Sequence, residues 1–291
     1  MNEAPDQGET TELPAAPAER GSPSHPRADV LALLPDPASA RACLDMAEDA
    51  ARAVRGNMAA AHIGADPERM IAAPEEIDLQ RLRDLDEGSP QHRFECVSRV
   101  FEDWKQASPD RKPFRFKDCR GDLGRCVAGE CRESALVVMP ARGSLDARDA
   151  FHDVLFNEGK LVLVPPAGAY AGHLLRHVVI GWRPHANVRG AVVAARPWLA
   201  SAERITVLCV DENHQSTASE LLAELDLAGD VVSIRSQGRP VGKAILDFAA
   251  TVDATCLLIG AYRHGYLIEL ILGRDTRYLL AHRPLPLMMK H

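Results

Sequence analysis

With 291 residues, the chain is long enough for two domains of ordinary size, each with its own hydrophobic core. Its 46% hydrophobic and 26% charged residues are typical of a soluble globular protein, and no apolar run reaches the ~18 residues of a membrane helix. The net charge of −7 is uneven, because residues 1–173 carry −9 and residues 174–291 carry +2. Neither part has the basic stripe of a nucleic-acid-binding protein, so we expect no nucleic-acid and no membrane partner.

Residues 1–26 are rich in Pro, Ala, Glu, Gly and Ser and contain almost nothing large and apolar. Such a composition cannot supply a packed core, so it predicts a disordered tail. The segment has no basic region followed by an apolar stretch, as a secretory signal would. We therefore expect a cytoplasmic protein.

The N-terminal half begins with an apolar strand at 29–34, followed by a turn and an amphipathic helix. Its middle is long and polar, with a helix at 91–107 and a strand at 113–119. A short apolar strand and turn at 134–143 and a closing strand at 159–166 complete it.

The C-terminal half repeats this plan, and short apolar strands that alternate with helices predict a parallel sheet covered by helices on both faces. We expect a divergent first domain at 27–166, a linker at 167–176 and a second domain at 177–291. The predicted elements of the second domain are strands at 177–182, 204–210 and 231–237, helices from about 185, at 216–227 and at 240–252, a strand and turn at 255–265, and a closing strand at 284–290.

Three of the seven cysteines lie close together, Cys119, Cys126 and Cys131. Their C-x6-C-x4-C spacing matches no common zinc pattern. On a single helix, Cys126 and Cys131 would not share a face. The sequence therefore predicts free structural thiols and no metal site.

The run LLIGAYRHGYLIELILGRDTRYLLAHRPLPLMMKH at 257–291 resembles the end of a universal stress protein domain. The resemblance extends over 174–291 and, more weakly, over about 28–166, as in tandem members whose first domain is divergent. It implies two doubly wound domains of the adenine nucleotide alpha hydrolase-like type that form an intramolecular pseudo-dimer. Such domains commonly pair through their last strands, so the candidate edges are LVLVP at 161–165 and LPLMMK at 285–290, and further pairing into a homodimer is expected.

In ATP-binding members of that family, the fourth strand leads into the pattern G-x2-G-x9-G followed by Ser or Thr. Glycines let the backbone approach a phosphate closely, and N–H groups at a helix start bind anions. Gly260 and Gly273 occupy the first and third glycine positions of this pattern. Arg263 replaces the second glycine, Arg274 follows the third, and the hydroxyl comes later, at Thr276.

A second departure from the family pattern lies after the first strand of this half. Nucleotide-binding members usually carry an Asp there, and this chain has Arg183. The N-terminal half keeps an acid at the matching turn, Asp36, but lacks the spaced glycines. Each half therefore holds part of a site.

Two interpretations of the loop stay open. Gly260 and Gly273 are present because the turn and the helix cap need them, and the chain is a non-catalytic stress-response protein without a cofactor. Alternatively, ATP, AMP or another phosphate ligand binds through Arg183, Arg263, His264 and Arg274, with a cap from the Thr276 hydroxyl. No motif of an enzyme active site occurs in the sequence, so we expect no catalytic residues.

Overall fold

The computed structural model describes residues 29–71, 74–108, 116–261 and 273–291. Its strands are β1 (Val30–Leu34), β2 (Met58–Ala65), β3 (Phe116–Gly121), β4 (Leu136–Val138), β5 (Leu161–Val164), β6 (Val178–Trp182), β7 (Ile205–Val210), β8 (Asp230–Ile234), β9 (Cys256–Gly260) and β10 (Leu287–Lys290). Its α-helices are α1 (Pro37–Ala53), α2 (Pro74–Glu87), α3 (Pro90–Gln106), α4 (Leu123–Cys131), α5 (Leu145–His152), α6 (Ala186–Leu199), α7 (Gln215–Glu224), α8 (Val241–Thr251) and α9 (Arg274–His282). The predicted tail at 1–26 and the loop residues Arg263 and His264 lie outside these ranges.

The ten strands form one sheet in the order β3-β2-β1-β4-β5-β10-β9-β6-β7-β8. Within each half the strands are parallel and follow the same order, third, second, first, fourth and fifth. The halves meet where β5 and β10 pair antiparallel, with Leu163 opposite Met288. These two strands are the edges that the sequence suggests. The predicted α/β class with two doubly wound parallel halves is confirmed.

Each face of the sheet carries one hydrophobic core, and each core draws residues from both halves. Helices α1, α3, α6 and α7 cover one face, and α4, α5, α8 and α9 cover the other. The indole of Trp198 in α6 donates a hydrogen bond to the carbonyl of Ala50 in α1, at 3.0 Å, and so connects the halves across the junction. In the ranges given above, no helix is both long and apolar enough to cross a membrane.

Strand β2 is the strand that the sequence does not predict, and the helices α2, α4, α5 and α9 are not predicted either. Its sequence, MAAAHIGA, contains four alanines, and alanine is depleted in strands. The strand nevertheless lies between β1 and β3, with Ala60, Ala61 and Ile63 almost fully buried. Its small side chains are accommodated because helices pack on both faces of the sheet, so tertiary burial overrides local propensity.

The expectation of three free thiols is wrong for two of them. Cys119 in β3 and Cys126 in α4 form a disulfide across seven residues, with their Cα atoms 5.7 Å apart. The chain turns back directly after β3, and this brings a strand residue beside a helix residue, a contact that spacing along one helix does not show. Cys131 stays free, and its burial raises the pKa of the thiol to about 12.

The β5–β10 junction should be sensitive to cavity formation. Leu163 is fully buried at its centre, so Leu163→Ala is expected to lower the free energy of unfolding by about 2–5 kcal/mol. Urea titration followed by circular dichroism measures the change. The matched control is Leu79→Ala in α2, where the leucine is 55% exposed and a change within about 0.5 kcal/mol is expected. Equal effects of the two substitutions would contradict a packed junction.

Candidate functional site

A cavity of about 480 Å³ opens at the carboxyl edge of the C-terminal half of the sheet. It lies between the ends of the neighbouring strands β6 and β9, beside the start of α9. The chain leaves these two strands toward opposite sides of the half-sheet, and open α/β sheets bind ligands at such a switch point. The cavity is lined by Gly181, Trp182, Arg183, His185, Val188, Leu208, Val210, Val241, Ile245, Ile259, Gly260, Gly273, Arg274, Asp275, Thr276 and Leu279.

The structure brings together every predicted site residue that it describes. Arg183 follows β6, Gly260 ends β9, and Gly273, Arg274 and Thr276 lie at the start of α9. Arg263 and His264 were predicted for the same site and lie outside the described residues. The cavity also has lining residues that the sequence does not single out, of which Trp182, His185 and Asp275 are the polar or aromatic ones.

Gly260 is required by packing. A β-carbon at this position would lie 2.7 Å from the backbone nitrogen of Val188 and 2.8 Å from its Cα, so α6 rests directly on the end of β9. The contact is reinforced by Asn187, whose Nδ2 donates to the carbonyl of Ala261 at 2.7 Å. The glycine therefore places the start of α6 against the cavity wall, whatever the cavity binds.

Gly273 has a different role, because its backbone dihedral angles are ones that any residue can adopt. It is the N-cap of α9 with φ −55° and ψ 154°, and within the described residues no side chain caps this helix. Thr276 is the third residue of the helix and is buried, and its hydroxyl makes no capping hydrogen bond within the described residues. The first turn of α9 lines the cavity, and backbone N–H groups of a turn that no described side chain caps can donate to an anion.

The cavity combines an apolar floor with a basic rim. Ile245, Ile259 and Leu279 are among the buried residues of the floor. Arg183 and Arg274 are exposed at the rim, and neither has an ion pair with any described residue. In the part of the chain that the structure describes, no group of His, Cys, Asp and Glu side chains is arranged to hold a metal ion. The arrangement suits a ligand with an apolar body and a negative group.

The corresponding place in the N-terminal half is occupied by protein side chains. Asp36 caps α1 by accepting hydrogen bonds from the backbone N–H and the hydroxyl of Ser39, each at 2.9 Å. Its structural counterpart is His185, because each residue is the N-cap of the first helix of its half. The acid that the sequence retains at this turn is therefore a helix cap.

A buried ion pair lies at the end of β2 in the same half. Asp146 in α5 accepts from Arg83 of α2 at 2.6 Å and from the backbone N–H of Ala65 at 3.2 Å. Both charged side chains are only 2% exposed. Burial alone would lower the pKa of Arg83, but the carboxylates of Asp146 and Glu87 more than offset it, so its pKa lies above its ordinary value.

His62 in β2 lies in the same cluster and is completely buried. Burial lowers the pKa of its imidazole, although the carbonyl of Leu34 and the carboxylates of Asp118 and Asp146 act in the opposite direction. Nδ1 lies 2.9 Å from the carbonyl oxygen of Leu34, which assigns the proton of the neutral ring to Nδ1. Nε2 is then an acceptor, and it has no hydrogen-bond partner among the described residues.

The two halves share one further signal that could have been found in the sequence. Ser144-Leu145-Asp146 begins α5 and Gly273-Arg274-Asp275 begins α9, so an Asp follows the N-cap by two residues in both. Asp275 accepts from the backbone N–H of Gly242 at 3.2 Å, and Asp146 accepts from that of Ala65. In each half this carboxylate binds a neighbouring element at the carboxyl edge. The cap itself differs, since the Ser144 hydroxyl closes α5 by accepting from Ala147 at 3.2 Å.

Comparison with known proteins identifies the fold. No protein-family model and no curated protein matches the chain. Among solved structures, a universal stress protein from Archaeoglobus fulgidus DSM 4304 superposes with a TM-score of 0.58 at 16% identity, over 89% of this chain and 95% of that one. A functionally unknown protein from Pseudomonas aeruginosa PAO1 gives a TM-score of 0.52 at 13% identity, over 91% and 92% of the two chains. A candidate universal stress protein from Pseudomonas aeruginosa UCBPP-PA14 gives 0.52 at 12% identity, over 91% and 93%.

The chain therefore has the fold of the universal stress proteins over about nine-tenths of its length. The resemblance of the segment 257–291 to such a domain is in agreement with this fold.

Gly260→Ala tests the packing role of the first loop glycine. The new β-carbon meets backbone atoms of α6, which cannot move aside as a flexible side chain would, so we expect a loss of about 1–3 kcal/mol in the free energy of unfolding. The control is Gly190→Ala inside α6, where no atom lies within 4 Å of the added carbon. Because alanine favours helix, this control is expected to gain about 0.4–1 kcal/mol. Chemical denaturation of both variants gives the comparison.

His62 should make the stability depend on pH. Its pKa is lower in the folded chain than the ordinary value of 6.5, so below pH 6.5 the unfolded chain binds the proton more readily. The contribution of His62 is complete above pH 6.5 and is lost as the pH falls toward the folded pKa, at up to about 1.4 kcal/mol per pH unit. Asp118, Asp146 and Arg120 are the charged groups that act on the ring.

Denaturant titrations between pH 7.5 and about 5 measure this dependence. His62→Asn keeps a donor for the Leu34 carbonyl and should flatten the profile. His173→Asn is the control, because His173 is exposed in a left-handed turn that asparagine tolerates, and it should leave the wild-type slope unchanged. A slope that persists in His62→Asn would show that another group titrates.

Proposed function

We propose that the chain is a non-catalytic protein of the stress-response type whose C-terminal half binds one small phosphate-bearing ligand, of the ATP or AMP class. The observation that carries the proposal is the 480 Å³ cavity at the switch point, with apolar residues at its floor and Arg183 and Arg274 at its rim. Its volume is within the range of small-molecule sites. Of the two interpretations of the loop, the cavity favours ligand binding.

The chemistry of the rim supports the charge of the ligand. The same opening is lined by Arg183 and Arg274 and by the first turn of α9. Among the described residues, neither guanidinium has an ion pair and no side chain caps the helix. Guanidinium and helix N–H groups both donate hydrogen bonds to phosphate oxygens. Asp275 also lines the cavity, but its Oδ1 accepts from the backbone N–H of Gly242, which holds that carboxylate oxygen toward α8.

The floor supports a ligand with an aromatic or other apolar part. Leu208, Ile245, Ile259 and Leu279 line the cavity and are buried in the core on one face of the sheet. Aliphatic side chains of this kind provide an apolar surface for part of a ligand. A base or a similar planar group would bury apolar area there, which inorganic phosphate cannot do.

The described part of the site contains no nucleophile–base pair of the kind that covalent catalysis needs. Thr276 and Asp275 are adjacent in sequence, and the carboxylate is engaged with α8. The proposed role is therefore binding without turnover, in a chain that has no nucleic-acid or membrane partner and acts in the cytoplasm. Association into a homodimer remains part of the proposal.

Isothermal titration with Mg-ATP, AMP, adenosine and pyrophosphate tests the ligand class. At a protein concentration of about 100 μM, we expect AMP or ATP to bind with a Kd near or below about 10 μM, equivalent to about −7 kcal/mol. Adenosine lacks the phosphate and pyrophosphate lacks the apolar part, so each should bind more weakly. No phosphate release from ATP above the buffer rate is expected.

The variants Arg183→Ala and Arg274→Ala should each weaken AMP binding about three- to tenfold. The control is Arg204→Ala, because Arg204 precedes β7 at the amino edge of the sheet and pairs with Asp230. It should leave the affinity unchanged. If none of the four compounds binds, the ligand proposal is wrong and Gly260 serves packing alone.

A further inference from the structure

Helix α2 exposes its apolar side chains and buries a charged one, which is the reverse of the usual pattern for a surface helix. Its leucines point outward, with Leu79, Leu82 and Leu85 being 55%, 66% and 86% exposed. Of the α2 side chains that the structure describes, Arg83 alone is buried. A surface helix ordinarily buries its apolar stripe and exposes its charges. Packing of apolar side chains therefore contributes little to the position of α2.

The next helix, α3, is anchored in the ordinary way. Val97, Phe101 and Trp104 of α3 are buried in the core on one face of the sheet. The two helices form one insertion between β2 and β3, with α3 fixed by packing and α2 held by polar contacts.

The polar contacts of α2 converge on the end of β2. Arg83 reaches Asp146, which also accepts from the backbone N–H of Ala65. Asp84 of α2 accepts from Arg93 at 2.9 Å, and Arg93 donates to the carbonyl of Ala65 at 3.0 Å. The Arg83–Asp146 and Asp84–Arg93 pairs therefore both connect α2 to the backbone of Ala65, the last residue of β2.

Several atoms of this cluster have unused hydrogen-bonding capacity. Among the described residues, Nη2 of Arg83, Oδ2 of Asp146 and Nε2 of His62 have no partner. The last two atoms lie 3.4 and 3.3 Å from the place that a β-carbon on Gly64 would take, so they point to one spot. Buried groups without partners are costly, and here the unused acceptors lie beside a guanidinium that has a donor to spare.

We propose that Asp146, His62 and the end of β2 form a guanidinium-binding site and that Arg83 occupies it as a ligand supplied by the same chain, which makes α2 a latch. The site lies at the carboxyl edge of the N-terminal half, as the cavity lies at that of the C-terminal half, and it has the opposite charge preference. Its free atoms are carboxylate and imidazole acceptors, whereas the rim of the cavity is basic. An alkylguanidinium compound is the chemical class that competes with Arg83.

Replacing Arg83 by Ala removes two methylenes and the guanidinium, and n-propylguanidinium, which is one carbon longer than the part removed, can then be added as a separate compound. Amide hydrogen exchange over residues 74–87 is the readout. In Arg83→Ala we expect exchange at least about tenfold faster than in the wild type, because the latch is lost. Addition of n-propylguanidinium at about 10 mM should restore most of the protection, and n-propylammonium should not, since an ammonium lacks the planar fork of donors.

Arg81→Ala is the matched control, because Arg81 lies on the same helix, is 76% exposed and pairs with Asp78. It should leave the exchange of α2 unchanged, with or without n-propylguanidinium. If Arg83→Ala and Arg81→Ala exchange alike, or if both cations restore protection equally, the latch proposal is overturned.

The wild type provides a test that does not depend on folding of the variant. The tethered Arg83 has a high effective concentration, so n-propylguanidinium at about 100 mM is needed to compete. It should accelerate exchange in residues 74–87 at least about threefold more than in residues 90–106, while n-propylammonium accelerates neither segment. Equal acceleration of both helices means general denaturation and overturns the proposal.

Discussion

Strands β5 and β10 are the last strands of their halves, and each is buried on both faces of the sheet. The side chains of β5 are at most 1% exposed, and Leu287, Met288 and Met289 of β10 are equally buried. An unpaired strand of this kind would leave a row of backbone groups open to other chains. Their antiparallel pairing removes both edges at once and makes two half-sheets into one. The two cores can then extend across the junction.

The same pairing separates the two sites. Since β5 and β10 run in opposite directions, the carboxyl ends of the N-terminal strands and those of the C-terminal strands lie at opposite edges of the sheet. Of the residues that the structure describes, those that line the cavity all belong to the C-terminal half. Arg83, Asp146 and His62 all belong to the N-terminal half. Each site can change without disturbing the other, which is the condition under which two copies of one fold diverge.

Local pattern was enough to predict most strands, because short apolar runs such as LVLV and CLLIG are buried in both halves. It was not enough for β2, whose alanines carry no strand signal, or for the disulfide, which depends on a chain reversal. The cavity residues were predictable where a loop pattern contains them, as at Gly260, and not where a strand end supplies them, as at Trp182. The Arg83–Asp146 pair spans 63 residues, and the sequence of α2 shows only an ordinary mixture of leucines and charges.

The difference between the halves follows from two local changes. In the N-terminal half, Ser144 caps the helix after the fourth strand, and the connection from β2 to β3 contains an extra helix that delivers Arg83. In the C-terminal half, no described side chain caps that helix at Gly273, and the connection from β7 to β8 contains α7 alone among the α-helices. The equivalent Asp therefore binds a guanidinium as well as a backbone N–H in the N-terminal half, and in the C-terminal half its hydrogen bond within the described residues is to a backbone N–H. If both proposals hold, the site of the N-terminal half is filled by Arg83 of the same chain. Only the C-terminal half then binds an external ligand, which gives one ligand per chain.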